Sequence, residues 1–126
     1  MPVIAKNKDT FVTVTGFKHY YGLTPFRIGR LIRCAKEPEN PFDSDAVRAF
    51  LPCIGKVGYI ANSPDTRAGG TESASRIYDR VPKRFYIRVL FTTFTKVICR
   101  VERGDMNALN REFDRQCVED GDTNWD

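Results

Sequence analysis

Six short apolar runs, each closed off by Gly, Pro, Asn or Asp, constrain this chain more than any other feature of its sequence. In residues 11–17, Phe11, Thr13, Thr15 and Phe17 alternate with Val12, Val14 and Gly16. A period of two places successive side chains on opposite faces of a strand. Residues 31–35, 46–51 and 56–60 are shorter runs of the same kind. Residues 84–94 are the clearest, with Phe85, Ile87, Val89 and Phe91 on one face and Tyr86, Arg88 and Thr92 on the other. Residues 96–102 follow, with Val97, Cys99 and Val101 aligned, and the two runs predict a hairpin.

Only two segments carry helical spacing. Ala74, Ile77, Tyr78 and Val81 form one buried stripe, with Thr71 as its expected cap and Pro82 as its stop. Met106, Leu109, Phe113 and Cys117 form a thinner one, opened by Asp105 and closed near Gly121, with residues 122–126 beyond it. Many short strands with few helices predict a mainly β (α+β) domain, a small closed or partly open barrel of about six strands with two helices.

Charge narrows the partner. Residues 1–104 hold eighteen Lys and Arg against nine Asp and Glu, a net of +9, while residues 105–126 hold two against seven, a net of −5. A body that basic suits a polyanion, because each neutralised phosphate releases counterions. The division at 104/105 predicts a basic domain followed by an acidic helix or tail, which could fold over a basic groove as a mimic of nucleic acid. No apolar stretch approaches the eighteen residues of a membrane helix, and the first residues, Met1 to Lys6, lack the apolar core of a secretory signal. The four cysteines, Cys34, Cys53, Cys99 and Cys117, are widely spaced and accompanied by one histidine, His19. They read as buried thiols of a reducing cytoplasm, with no metal site and no cofactor.

The segment Glu37-Pro38-Glu39-Asn40-Pro41-Phe42-Asp43-Ser44-Asp45-Ala46-Val47-Arg48 is the most informative. Two prolines, an Asn-Pro step and two aspartates mark an ordered loop feeding a strand. Phe42, an aromatic among polar residues, either plugs one end of the barrel or meets a ligand. The carboxylates Glu37, Glu39, Asp43 and Asp45 lack EF-hand spacing, and Asp43 and Asp45 suit turn and cap positions. A two-metal nuclease built on them is the enzyme alternative, and a protein-interaction module is the other. No Ser-His-Asp, Cys-His or P-loop arrangement is present.

This stretch, followed by Gly55-Lys56-Val57-Gly58-Tyr59-Ile60 and preceded by Val14-Thr15-Gly16-Phe17-Lys18-His19-Tyr20-Tyr21-Gly22, resembles the HIRAN domain family over roughly residues 10–102. The resemblance implies an OB-like barrel that binds single-stranded DNA and captures its 3′-terminal nucleotide without catalysis, in repair or replication-fork processing. Such domains accompany ATPases, so an ATPase or nuclease partner is implied as well. It places Phe42 where the family stacks a tyrosine on the terminal base, and Asp43 where an aspartate accepts a hydrogen bond from the 3′-hydroxyl. Lys18, His19 and Tyr20 align with a basic-aromatic-aromatic turn lining the same pocket. Asn40 belongs to the loop motif, Arg48 supplies a cation beside it, and Tyr59 follows the Val-Gly pair on the pocket side. The chain departs from the pattern with Phe for Tyr at 42, His for an aromatic at 19 and Lys for Arg at 18. Phe42 keeps a stacking face without the phenolic hydrogen bond, and Lys18 keeps charge without the planar fork of Arg.

Overall fold

The computed structural model describes residues 9–52 and 54–121; the N-terminal signal question, Cys53 and residues 122–126 lie outside the described residues. Six strands, β1 (Phe11–Thr15), β2 (Leu31–Lys36), β3 (Val47–Leu51), β4 (Gly55–Ile60), β5 (Arg84–Thr92) and β6 (Val97–Val101), are joined by a short helix α1 (Ala74–Ile77) and followed by α2 (Met106–Gly121). All neighbours are antiparallel and the order β1-β4-β3-β2-β5-β6 closes on itself, so no sheet edge is left unpaired. The β5–β6 hairpin forms as the alternation predicts.

The pattern fails in three places, each for a local reason. Phe17 does not extend β1: Gly16 takes a left-handed φ of 76° and turns the chain into a single 3₁₀ turn, which buries Phe17 against Phe26 with ring centres 6.0 Å apart. Phe91 leaves the inward face because the pairing of β5 with β6 slips between Val89 and Phe91, so its ring is half exposed and β5 ends before Phe94. Thr71 does not cap α1. Its hydroxyl donates to the Ala68 carbonyl at 2.7 Å and lies 2.8 Å from the hydroxyl of buried Thr13, while Glu72 bridges to Val12 as extended chain. The helix therefore starts later, with Ser73 accepting the Arg76 N–H, and gives way to a 3₁₀ turn at Tyr78.

Val12, Val14, Ile32, Val47, Val57, Ile87, Val89 and Val97 fill the barrel. Gly58 lets β1 cross β4 closely, since a Cβ there would stand 2.8 Å from Val14 Cγ1 and 2.9 Å from the Thr15 carbonyl oxygen. Cys34 and Cys99 are buried in this core, where burial pushes both thiols far above their ordinary pKa and leaves them unreactive. On the outside of β2 and β5, α2 buries Leu109 and Phe113 completely enough to belong to the same core.

Candidate nucleic-acid interface

Strand register sets the floor of the interface. Thr15 lies opposite Tyr59, Tyr59 opposite Arg48, Arg48 opposite Ala35 and Ala35 opposite Arg84, one row of outward side chains across five strands. The small Ala35 leaves room in the middle of this row, and the loop between β2 and β3 rises over it.

That loop is tied by its own polar side chains. Asn40 donates to Glu37 Oε1 at 3.0 Å and accepts the backbone N–H groups of Phe42 (2.8 Å) and Asp43 (3.2 Å). Asp43 accepts the Asp45 N–H at 2.9 Å through Oδ1 and the Asn62 amide at 2.9 Å through Oδ2, while Asp45 accepts the Ser75 hydroxyl at 2.8 Å. These turns are what the Asn-Pro and Asp spacing calls for, although Asp45 accepts a side chain rather than a backbone N–H. At the tip of this braced loop the Phe42 ring is 96% exposed. It is not a plug for the barrel, and burying such a ring on a partner would recover about 1.5–3 kcal/mol.

Phe42 stands between two open hollows. The first, about 520 Å³, contains Asp43, Asn62, Thr15 and Thr66, with Asp43 its one charged residue. The second, about 630 Å³, sets Lys36, Arg48, Lys56, Lys83 and Arg84 against Glu37 and Glu39. Tyr59, Asn40 and Phe42 line both. A third hollow of about 310 Å³ holds Lys18, His19, Lys96 and Asp65, and adjoins the first through Thr15 and Thr66. Beside it the Lys18 ammonium sits 5.6 Å from the centre of the Phe94 ring, which is 83% exposed on the hairpin tip.

Glu37 organises the cationic hollow. Its carboxylate accepts the Tyr59 hydroxyl at 2.8 Å and lies 3.5 Å from Lys56 and 3.6 Å from Arg48. Partial burial alone would raise this carboxyl, but hydrogen bonds from Asn40 and Tyr59 and the charges of Lys56 and Arg48 outweigh it and hold Glu37 below its ordinary range. Lys56 donates to the Tyr59 oxygen at 2.6 Å, and this bond chiefly keeps its ammonium charged, its pKa raised. Burial raises the Tyr59 phenol in turn.

The residues singled out in the sequence divide between these hollows. Asn40, Phe42, Asp43, Arg48 and Tyr59 converge at the loop, whereas Lys18 and His19 line the adjoining hollow. Tyr20, exposed, comes near enough to Lys56 to help hold its charge. Glu37, Asp43 and Asp45 hold different partners, and among the described residues no three His, Cys, Asp or Glu gather as a metal site would require. Sequence reasoning passed over Glu37 as a hub, Lys56, Asn62, and the Phe94–Lys96 tip. An aromatic between two threonines at a hairpin turn was the available signal for Phe94.

A closed six-stranded antiparallel barrel whose most developed surface is a braced aromatic loop among cations is a small domain of the OB-like kind. The model of the HIRAN domain family matches residues 7–65, from before β1 through β4 and including the whole loop between β2 and β3. HIRAN domains are DNA-binding modules and are generally not catalytic. The crystal structure of the HIRAN domain of human HLTF is similar with a TM-score of 0.53 at 14% identity, over 74% of this chain and 72% of that one, and shares the fold. A crystal structure of a protein from Lactobacillus plantarum gives a TM-score of 0.48 at 24% identity, over 75% of this chain and 93% of that one. No curated protein matches the sequence. Among the described residues no helix is long and apolar enough to cross a membrane.

Proposed function

We propose that this protein binds single-stranded DNA at a free 3′-hydroxyl end, without catalysing a reaction on it, as an end-recognition module in repair or fork processing. The observation that carries the reading is the Phe42 ring, 96% exposed on a loop that its own hydrogen bonds hold still. Stacking one base on such a ring contributes about 1–3 kcal/mol and tolerates any sequence. Asp43 lies beside it as the lone charge of its hollow. A carboxylate there repels a terminal phosphate and accepts a hydrogen bond from a hydroxyl, so the end is selected by rejection of the alternative. Each oxygen of Asp43 already accepts one hydrogen bond and retains capacity for another.

Fluorescence anisotropy of a labelled short strand bearing a 3′-hydroxyl, against the same strand with a 3′-phosphate and against blunt duplex, tests this. Tightest binding to the hydroxyl is expected. Phe42→Ala should weaken it roughly 5- to 150-fold, the equivalent of the stacking energy. Asp43→Ala should erase the preference between the two ends. Equal affinity for all three ligands in the wild type defeats the proposal.

A further inference from the structure

Where β5 begins and β6 ends, the barrel carries a further hollow of about 230 Å³ that shares no residue with the three around Phe42. Val81 and Pro82 lead into β5 on one side of it, and Met106 opens α2 on the other, 40% exposed. Buried Phe85 and Val101 give it an apolar floor. Arg80 and Arg103 line it as well. Arg103 donates to the Thr10 hydroxyl at 2.8 Å, while exposed Arg80 has no side-chain partner among the described residues. Glu102, the one carboxylate in the lining, is already committed to Arg88 at 3.4 Å and Arg100 at 2.9 Å.

Size and lining narrow the occupant. A drug-sized ligand needs about 300–1,000 Å³, so the space suits one large side chain. It does not suit a base, because its one ring, Phe85, is buried and offers no face for stacking. An apolar side chain flanked by carboxylates matches both the floor and the two arginines, and tryptophan and arginine are enriched among the anchors of protein contacts.

The chain itself carries such a segment. Its only tryptophan, Trp125, lies between Asp122 and Asp126 in the acidic C-terminal stretch. In its own copy this segment sets out from the wrong end of the barrel. From Met106 beside the hollow, α2 runs for 16 residues, roughly 24 Å. Near its far end Gln116 bonds Leu31, the start of β2, whereas the start of β5 at Arg84 lies opposite Ala35. An extended chain from Gly121 to Trp125 spans at most roughly 14 Å, short of the return.

We infer that this hollow takes the Trp125 indole of a second copy, with Arg80 and Arg103 meeting Asp122 and Asp126, so that copies associate while the loop face stays open. The contact stands apart from the DNA-binding reading and does not depend on it.

The test is sedimentation of the full chain over about 10 μM to 1 mM, the range in which a contact with one anchor saturates. The average mass should rise with concentration and fall back as salt is added. Emission from Trp125 should shift to the blue over the same range as its ring leaves water. Met106→Glu puts a carboxylate at the mouth, where it suits the first turn of α2 and repels the segment. Trp125→Ala removes the anchor. Each variant alone should stay monomeric and keep the wild type's thermal melt and single-strand affinity. Mixed, they should form a dimer and go no further, because one brings an intact indole and the other an intact hollow. A wild type that stays monomeric throughout overturns the inference and leaves the hollow to a different protein. Association that persists in either variant, or a mixture that stays monomeric, overturns it too. A blue emission that is independent of concentration and lost in Met106→Glu would mean that the segment reaches its own hollow, and the second copy falls.

Discussion

Two faces of one barrel use the same ingredients, Arg or Lys beside aromatic rings, to opposite ends. Under α2 the arginines and the tyrosine hydroxyl have partners within the chain. The Arg33 guanidinium lies 4.6 Å from the centre of the buried Phe113 ring and donates to the Tyr86 oxygen at 2.6 Å, and Tyr86 in turn donates to Asn110 at 2.6 Å. Arg88 grips Glu112 through two bonds of 2.7 and 2.9 Å and lies 3.4 Å from Glu102, while Gln116 bonds both backbone groups of Leu31. On the loop face Phe42 and Phe94 face solvent, and Lys83 and Arg84 lack side-chain partners among the described residues. Cations and rings thus become cement or interface according to whether the chain supplies the complementary groups. Where it does not, a ligand must.

The sharpest way to break this contrast is to remove the ring that anchors the closed face. Phe113 is wholly buried, and its truncation opens a cavity beside Tyr86 and Arg33. Phe113→Ala is expected to cost about 3–5 kcal/mol in chemical denaturation, with the single-strand affinity of the folded fraction unchanged. A loss below about 1 kcal/mol would make residues 105–121 a detachable appendage. The acidic helix would then be free to cover a groove, although no residue of α2 lines the three hollows around Phe42.

Much of this was legible in residue order. The alternation in β5 and β6 and the stops at Gly, Pro and Asn mark all six strands to within a residue or two, because an inward-facing period of two is a local property of the chain. The loop between β2 and β3 was legible for the same reason: its turns are made by side chains two and three positions apart. What could not be read is whatever barrel closure brings together. Glu37 meets Tyr59 and Lys56 only because β3 lies between β2 and β4. Asp43 meets Asn62 across nineteen positions. Phe91 turns outward through a slip in pairing that a strict alternation hides. The charge count located a basic body and an acidic end, but not that Arg88 would spend its charge on Glu112 in that end.

A pair of substitutions of equal charge measures how differently the two faces use a cation. Arg88→Ala removes a two-pronged bond to Glu112 from a mostly covered site, and hydrogen bonds to charged groups contribute about 1.5–3 kcal/mol each way they are lost. A destabilisation in that range is expected in urea titrations, with little change in DNA affinity. Lys83→Ala should leave stability within about 0.5 kcal/mol and register instead as weaker DNA binding with a shallower salt dependence. Similar stability losses from both would erase the distinction drawn above.

The smallest expected effect is in acid, where each face contributes one carboxylate. The Arg88 guanidinium holds Glu112 below its usual 4.5, and on the loop face hydrogen bonds and cations overcome partial burial to do the same for Glu37. A carboxyl whose pKa is lowered on folding adds stability that is fully present above its unfolded pKa and is lost as pH falls through the folded one. Denaturation midpoints should therefore hold steady from pH 7 to about 5 as far as these two groups are concerned, then decline below 4.5. Glu112→Gln and Glu37→Gln should each make that decline shallower than in the wild type, because the neutral amide has no proton to take up. The loop-face variant carries a second signature. Removing the charge of Glu37 releases Lys56 and Arg48, so single-strand affinity should rise at neutral pH and its salt dependence steepen. Glu112→Gln should leave both untouched. If Glu37→Gln instead weakens binding, the carboxylate is needed to aim its two cations, and the hollow depends on their placement more than on their number.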